Sequence, residues 1–148
     1  MKKEILFFIL LLFISELLGL EVIIGCGTSV TGDSDASPVN VWFKSLHGQS
    51  VYTKAELNQA GIFGPVNITQ LGFNIVGLPL VSMPNFVVRM KHTTAENVRS
   101  WISADNLVTV YSNPNYLPTE TGWNMYNFSI PFESPIIGLR LFRIIFLR

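Results

Sequence analysis

The sequence has little charge of either sign: 148 residues carry ten Lys and Arg against ten Asp and Glu, for a formal net charge of zero. Lys2, Lys3, Glu4 and Glu16 cancel among themselves, so the chain beyond them is neutral as well. A neutral chain has no means of recruiting nucleic acid electrostatically. Lys44, Lys54, Arg89, Lys91 and Arg99 are scattered rather than clustered, which argues equally against an anionic membrane surface. Cys26 is the single cysteine and excludes an intramolecular disulfide. Hydrophobic burial must therefore hold the fold. A metalloprotease His-Glu-x-x-His, a Cys-x-x-Cys pair and a glycine-rich phosphate loop are all missing. The expectation is a protein that is not an enzyme and needs no cofactor.

What is present begins with Met1-Lys2-Lys3 and the apolar run Ile5–Ile14, the order that signal-peptide recognition requires. A bilayer span needs ~20 mostly apolar residues. Glu16 ends the run too early, and Glu21 follows, so residues 1–20 are expected to be a cleaved leader, cut near Gly19 or Leu20 without an Ala-x-Ala site. The chain is thereby expected to be secreted or displayed on the outer cell surface. An alternative reads Ile23-Ile24-Gly25-Cys26 as a lipobox, with Cys26 lipidated and the product a lipid-anchored envelope protein. Glu16 and Glu21 interrupt the apolar segment this requires, and a buried thiol on a first strand is the simpler fate of Cys26.

After the leader, apolar residues recur with period two, the signature of strands with one wet face. Val39, Val41 and Phe43 alternate with Asn40 and Lys44. The device returns in Leu71, Phe73 and Ile75, and again in Phe86, Val88 and Met90, which face away from Asn85, Arg89 and Lys91. Residues 106–112 and 123–132 read as further strands, with Tyr126, Phe128, Ile130 and Phe132 on one face and Trp123 and Met125 on the other. Turns are expected at 31–37, 77–79, 83–85 and 113–118, where Gly, Pro and Asn gather. Two capping boxes, Thr53 with Glu56 and Thr93 with Glu96, predict two short helical inserts, the first ended by Gly61. Half-apolar antiparallel strands must bury their faces against a second sheet. The expected fold is all-β: an antiparallel β-sandwich, jelly-roll or fibronectin-like, with two helical inserts and an N-terminal signal helix. The domain spans 21–132, and 133–148 is an atypical Arg-punctuated apolar tail, read as a truncated or altered final strand or as a segment outside the domain's design.

Few residues invite chemistry. His47 and His92 are the only histidines, and neither is accompanied by a second catalytic motif. Gly32-Asp33-Ser34-Asp35 resembles the Gly-Asp-Ser block of one esterase family, but the downstream Asp and His that such a hydrolase requires are missing. Asp33 and Asp35 are the only candidate metal ligands, and two carboxylates fall short of a calcium loop. The aromatic residues offer a sugar-stacking platform of the kind sandwich modules use. Trp101 and Tyr116 are its candidate contacts, Tyr116 being expected in an exposed Pro-rich loop. Asn67-Ile-Thr69 and Asn127-Phe-Ser129 match the glycosylation sequon but fall in expected strands.

Gly25-Cys-Gly-Thr-Ser, Ser45-Leu-His-Gly-Gln-Ser-Val-Tyr-Thr, Glu56-Leu-Asn-Gln-Ala-Gly, Asn67-Ile-Thr-Gln-Leu-Gly-Phe, Asn85-Phe-Val-Val-Arg-Met-Lys-His-Thr and Tyr116-Leu-Pro-Thr form a set. With them, the stretch from Gly25 to about Phe132 resembles modules near the N-termini of large secreted surface proteins of Gram-negative bacteria. The resemblance implies a β-sandwich on longer chains that often carry fibronectin-type repeats and a C-terminal sorting signal. It implies no catalytic residue. This chain departs from the pattern at Cys26, where a small polar residue is usual, and after Phe132, where a Trp-Asn-Gly-type turn and its strand are replaced by the tail. The function expected is adhesion, with an extracellular glycan or a surface protein as partner and the membrane met only through the leader or a lipid anchor. A ligand-free structural spacer is the alternative, and a hydrolase using Ser34 or His47 a third reading.

Overall fold

The computed structural model describes residues 19–25, 30, 32, 37–42 and 45–134, and the backbone of 141–147. The expected signal helix, Cys26 and the 33–36 loop lie outside these residues. The chain runs through β1 (His47–Tyr52), α1 (Lys54–Gln59), β2 (Val66–Ile75), β3 (Met83–Thr93), β4 (Val108–Tyr116), β5 (Gly122–Ser134) and β6 (Leu141–Leu147). Among the described residues it is mostly strand, with one short helix. One sheet has the order β1-β6-β3-β4 and the other pairs β2 with β5, every pairing being antiparallel. The backbone of 141–147 lies between β1 and β3 and pairs with both.

Period-two patterning decides which faces are buried. Phe86, Val88 and Met90 of β3 are buried, as are Val110 of β4, Tyr126 and Phe132 of β5, and Leu57 of α1. They belong to one core cluster that draws on both sheets. Bulges correct the pattern where it would fail. On β4 an extra residue stands opposite the Val88–Arg89 step, which lets the consecutive Val110 and Tyr111 both pack inward. On β2 the register shifts between Ile68 and Gln70, so Val66 and Ile68 join Leu71 and Phe73 against the core despite their opposite parity. The irregularity on β5 spans Pro131, which has no N–H for the ladder.

Three expectations are corrected. Residues 38–42 form no strand: the Asn40 side-chain oxygen accepts from the Trp42 N–H at 2.8 Å, and this local turn competes with a ladder. Val39 and Val41 still pack on the core. The first strand runs instead from His47 to Tyr52.

The second helix is absent as well. Thr93 is the last residue of β3, paired with Leu141, and its hydroxyl accepts from Ala95 N–H rather than capping a helix at Glu96. A similar turn follows, where the Asn97 side chain accepts from Arg99 N–H at 3.0 Å. Residues 94–107 are loop.

Two expected turns also lie inside strands. Pro114 is carried by β4, an edge strand, and Pro84 lies beyond the end of β6, whose pairing with β3 begins at Val87. Proline is tolerated at such edges because no partner asks for its missing donor.

The first helix forms as its capping box predicts. Glu56 N–H donates to Thr53 Oγ1 at 3.2 Å, and Thr53 N–H donates to the Glu56 carboxylate at 2.7 Å. Its end is a Schellman turn: Gly61 takes φ of +98°, its N–H bonds Asn58 O at 3.0 Å, and Ile62 N–H bonds Leu57 O at 2.9 Å.

Candidate functional site

The loop at 94–107 lacks regular structure, yet it is anchored. The Gln49 side chain on β1 meets the Ile102 backbone twice, donating to its O at 3.2 Å and accepting from its N–H at 3.3 Å. This imitates one rung of a sheet ladder. At the far end, Lys91 Nζ donates to Asp105 O at 3.1 Å, and Asn106 turns the chain with φ of +59°. Trp101 is thereby held against β1. Its ring meets His47 edge-on, with centroids 4.4 Å apart and planes at 85°, while the residue remains 61% exposed. A bulky ring fixed at one edge and open to solvent is suited to stacking on a flat apolar partner.

Tyr116 is placed otherwise than expected. It closes β4 rather than riding an exposed loop, stacks on Phe86 at 4.9 Å, and meets Tyr126 edge-on at 5.4 Å. Tyr126 Oη donates to Tyr116 Oη at 3.0 Å, and Tyr116 Oη donates to Asn124 Oδ1 at 3.3 Å. Asn124 in turn donates to the carbonyls of Glu120 and Gly122, both at 3.1 Å. Burial pushes the Tyr126 phenol far above the ordinary tyrosine range, its bond to Tyr116 adding to the rise, and burial also raises Tyr116. Both phenols are therefore neutral hydrogen-bonding groups. Trp101 and Tyr116 are drawn into two separate sets of contacts, one on β1 and one in the core.

Of the histidines, His47 supports Trp101, and His92 lies beside Phe132 with a ring nitrogen 3.0 Å from Glu133 O. Asp33, Ser34, Asp35 and Cys26 lie outside the described residues. Among the described residues no group of three or more His, Cys, Asp or Glu side chains assembles. The sequon asparagines Asn67 and Asn127 are exposed on β2 and β5; the Asn127 side chain accepts from Gln70 at 2.6 Å and Ser129 donates to Val110 O at 3.1 Å.

Two features have no counterpart in the sequence reading. Gln49 is one, since a polar residue in a short strand gives no sign that its amide will hold a loop 53 positions away. The other is a cavity of about 680 Å³ between residues 19–24 and residues 66–72 of β2, floored by Leu57, Ile62, Met90 and Phe128. It arises where two segments approach without pairing, which periodicity does not encode. Among the described residues no helix is long and apolar enough to cross a membrane. Comparison with known proteins finds no family, no curated protein and no solved structure that matches the chain.

Proposed function

We propose that the chain is an exported β-sandwich module, borne on the cell surface or released, that binds a glycan or a protein surface and carries no catalysis. The sandwich reading rests on the core, where Phe86, Val88, Met90 and Val110 of one sheet meet Tyr126 and Phe132 of the other. Export rests on the basic and apolar order of residues 1–14, and the surface location also on the resemblance to bacterial surface modules.

The single observation behind binding is Trp101, fixed by His47 and by the Gln49 clamp next to it, yet with most of its surface in water. Holding an indole in place lowers the side-chain entropy lost when a ligand stacks on it. A sugar ring is the matching partner, since its axial C–H face is apolar and its hydroxyls remain free for solvent. Tyr116 takes no part in this surface: it ends β4, at the other edge of the sheet from β1, and packs on Phe86 and Tyr126.

A glycan array probed with the folded protein tests the reading. Binding that falls about tenfold or more in Trp101→Ala, and survives in Tyr116→Phe, supports it. Uniform silence across the array, with no surface protein bound either, replaces it with the spacer reading.

A further inference from the structure

The two sheets have four edge strands, and three of them are blunted. β1 is six residues long and has Ile102 anchored beside it through Gln49. β4 carries Pro114, and β5 carries Pro131 and Glu133. Short edges, prolines and charges are the usual devices against strand addition. β2 has none of them: Val66–Ile75 is ten residues long, without a proline or a charged side chain, and among the described residues only β5 pairs with it.

The segment that faces this bare edge is the chain's own. The cavity is lined on one side by residues 19–24 and on the other by the unbroken run 66–72. It also takes side chains from both faces of the second sheet, Trp123 and Met125 outside and Phe128 on the core side, so it follows the backbone edge of β2. Residues 19–24 contain no helix, turn or bend and form no ladder. Their side chains nevertheless alternate as in a strand: Val22 and Ile24 pack on the core, whereas Glu21, Ile23 and Gly25 are exposed, Ile23 at 61%. β2 turns Val66, Ile68, Leu71 and Phe73 toward the same core. A slip of one residue would send such a set to the wrong face. Here the faces already agree, so closing the gap needs a sideways approach and no flip.

We infer that residues 20–24 are the outstanding edge strand of the β2–β5 sheet, which closes on β2 when the chain ahead of it is cut. Closure pairs the open backbone groups of β2, removes the cavity above Leu57, Ile62 and Met90, and adds a third strand to a two-stranded sheet, which is marginal by itself. The new edge is short and carries Glu21, so the fourth edge acquires the same defences as the other three. The trigger lies in position. The expected cut at Gly19 or Leu20 falls at the leading end of this stretch, and the apolar run Ile5–Ile14 joined to that end favours an apolar phase over water and draws it away from the sheet. The inference rests on the leader reading for this cut alone, and it is independent of Trp101, which lies on another loop.

Hydrogen exchange on the full chain, with a specific protease site in place of residues 13–18, follows the closure before and after the cut. Cutting should slow the amides of 21–24 and those of 66–72 together, by about tenfold or more. Ile24→Asp should abolish the gain, because its carboxylate would face the core, while Ile23→Asp on the outer face should keep it, each with an unchanged circular dichroism spectrum. Since the added protease makes the cut, a leader that cells retain counts against export alone.

Three results overturn the inference: exchange in both segments indifferent to the cut, protection gained by 21–24 while 66–72 stays open, or a gain lost as completely in Ile23→Asp as in Ile24→Asp.

Discussion

The flank where β3, β4 and β5 meet is filled by rings, whereas beside α1, β2 and residues 19–24 there is a cavity of about 680 Å³, partly open to solvent. On the filled flank Phe86 contacts Tyr111, Tyr116 and Tyr126, all within 6.0 Å between centroids, and the hydroxyls of Tyr116 and Tyr126 bond each other. On the hollow flank Leu57 and Ile62 are buried, but Leu20 and Ile23 stay in solvent. Apolar content does not separate the two flanks. On the filled side the backbone ladder between β3 and β4 fixes the rings of Phe86, Tyr111 and Tyr116 at set heights and that between β2 and β5 fixes Tyr126, while on the hollow side residues 19–24 have no ladder to bring them into register. Close packing follows from hydrogen-bonded register, and hydrophobic residues without it leave space.

The sharpest way to break this comparison is Phe86→Ala. Phe86 is 1% exposed and central to the ring cluster, so its truncation should cost about 3–5 kcal/mol, whereas Ile62→Ala beside the cavity should cost visibly less than the ~2–5 kcal/mol typical of a packed core. Urea unfolding of both variants checks the difference. Equal losses would mean that the cavity is filled in solution.

A smaller effect sharpens the chemistry of the filled flank. Tyr126→Phe removes one donor and leaves Tyr116 bonded to Asn124, at a cost of about 1 kcal/mol near neutral pH. Since the folded phenol of Tyr126 is raised above its unfolded value, its contribution is complete below the unfolded tyrosine pKa near ~10 and is lost as pH climbs past it. The native chain should therefore lose stability above about pH 10, and Tyr126→Phe should lose it less steeply. Thermal melts across that range decide the matter; parallel slopes would show that the buried phenol is not responsible.

Weaker still is the clamp on the Trp101 loop. Gln49→Ala deletes both bonds to Ile102 while leaving the half-buried strand β1 in place, so global stability should fall by about 1 kcal/mol or less. The larger change is local. Limited proteolysis should cut between 94 and 107 faster than in the native chain, and indole emission should shift to the red as Trp101 leaves His47. Unchanged cleavage would show that Lys91 and Asp105 suffice to hold the loop.

The strands of the filled flank were the most legible in the sequence. Phe86, Val88 and Met90 alternate cleanly, and Thr53, Glu56 and Gly61 announce the helix, because both signals act between residues that are neighbours on one element. Where distant partners decide, the same signals mislead. Thr93 and Glu96 have the spacing of a cap, but pairing of Thr93 with Leu141 keeps the residue in a strand. Pro84 and Pro114 read as turns, yet each falls where the sheet leaves proline unchallenged. The candidate site divides in the same manner. Trp101 stands out in the sequence as an aromatic and is exposed, but the Gln49 anchor and the packing of Tyr116 against the core depend on contacts that no spacing records.

The smallest expected effect concerns the outer face of β2 and β5, where Gly72 lies opposite Met125. A Cβ added at Gly72 would come within 2.6 Å of Met125 Sδ and 3.4 Å of the Trp123 ring. The first approach is too close to persist, but it involves the far end of a flexible side chain that is already 43% exposed and can swing into solvent. The lost contact is offset by the backbone entropy that Gly surrenders on entering a strand, about 0.5–1 kcal/mol in favour of Ala. Gly72→Ala should accordingly leave the unfolding midpoint within about 0.5 kcal/mol of the native chain, while altering the fluorescence of Trp123. A large loss would mean that Met125 cannot move because something holds it, and the outer face of this sheet would then be as tightly fitted as the flank filled by rings.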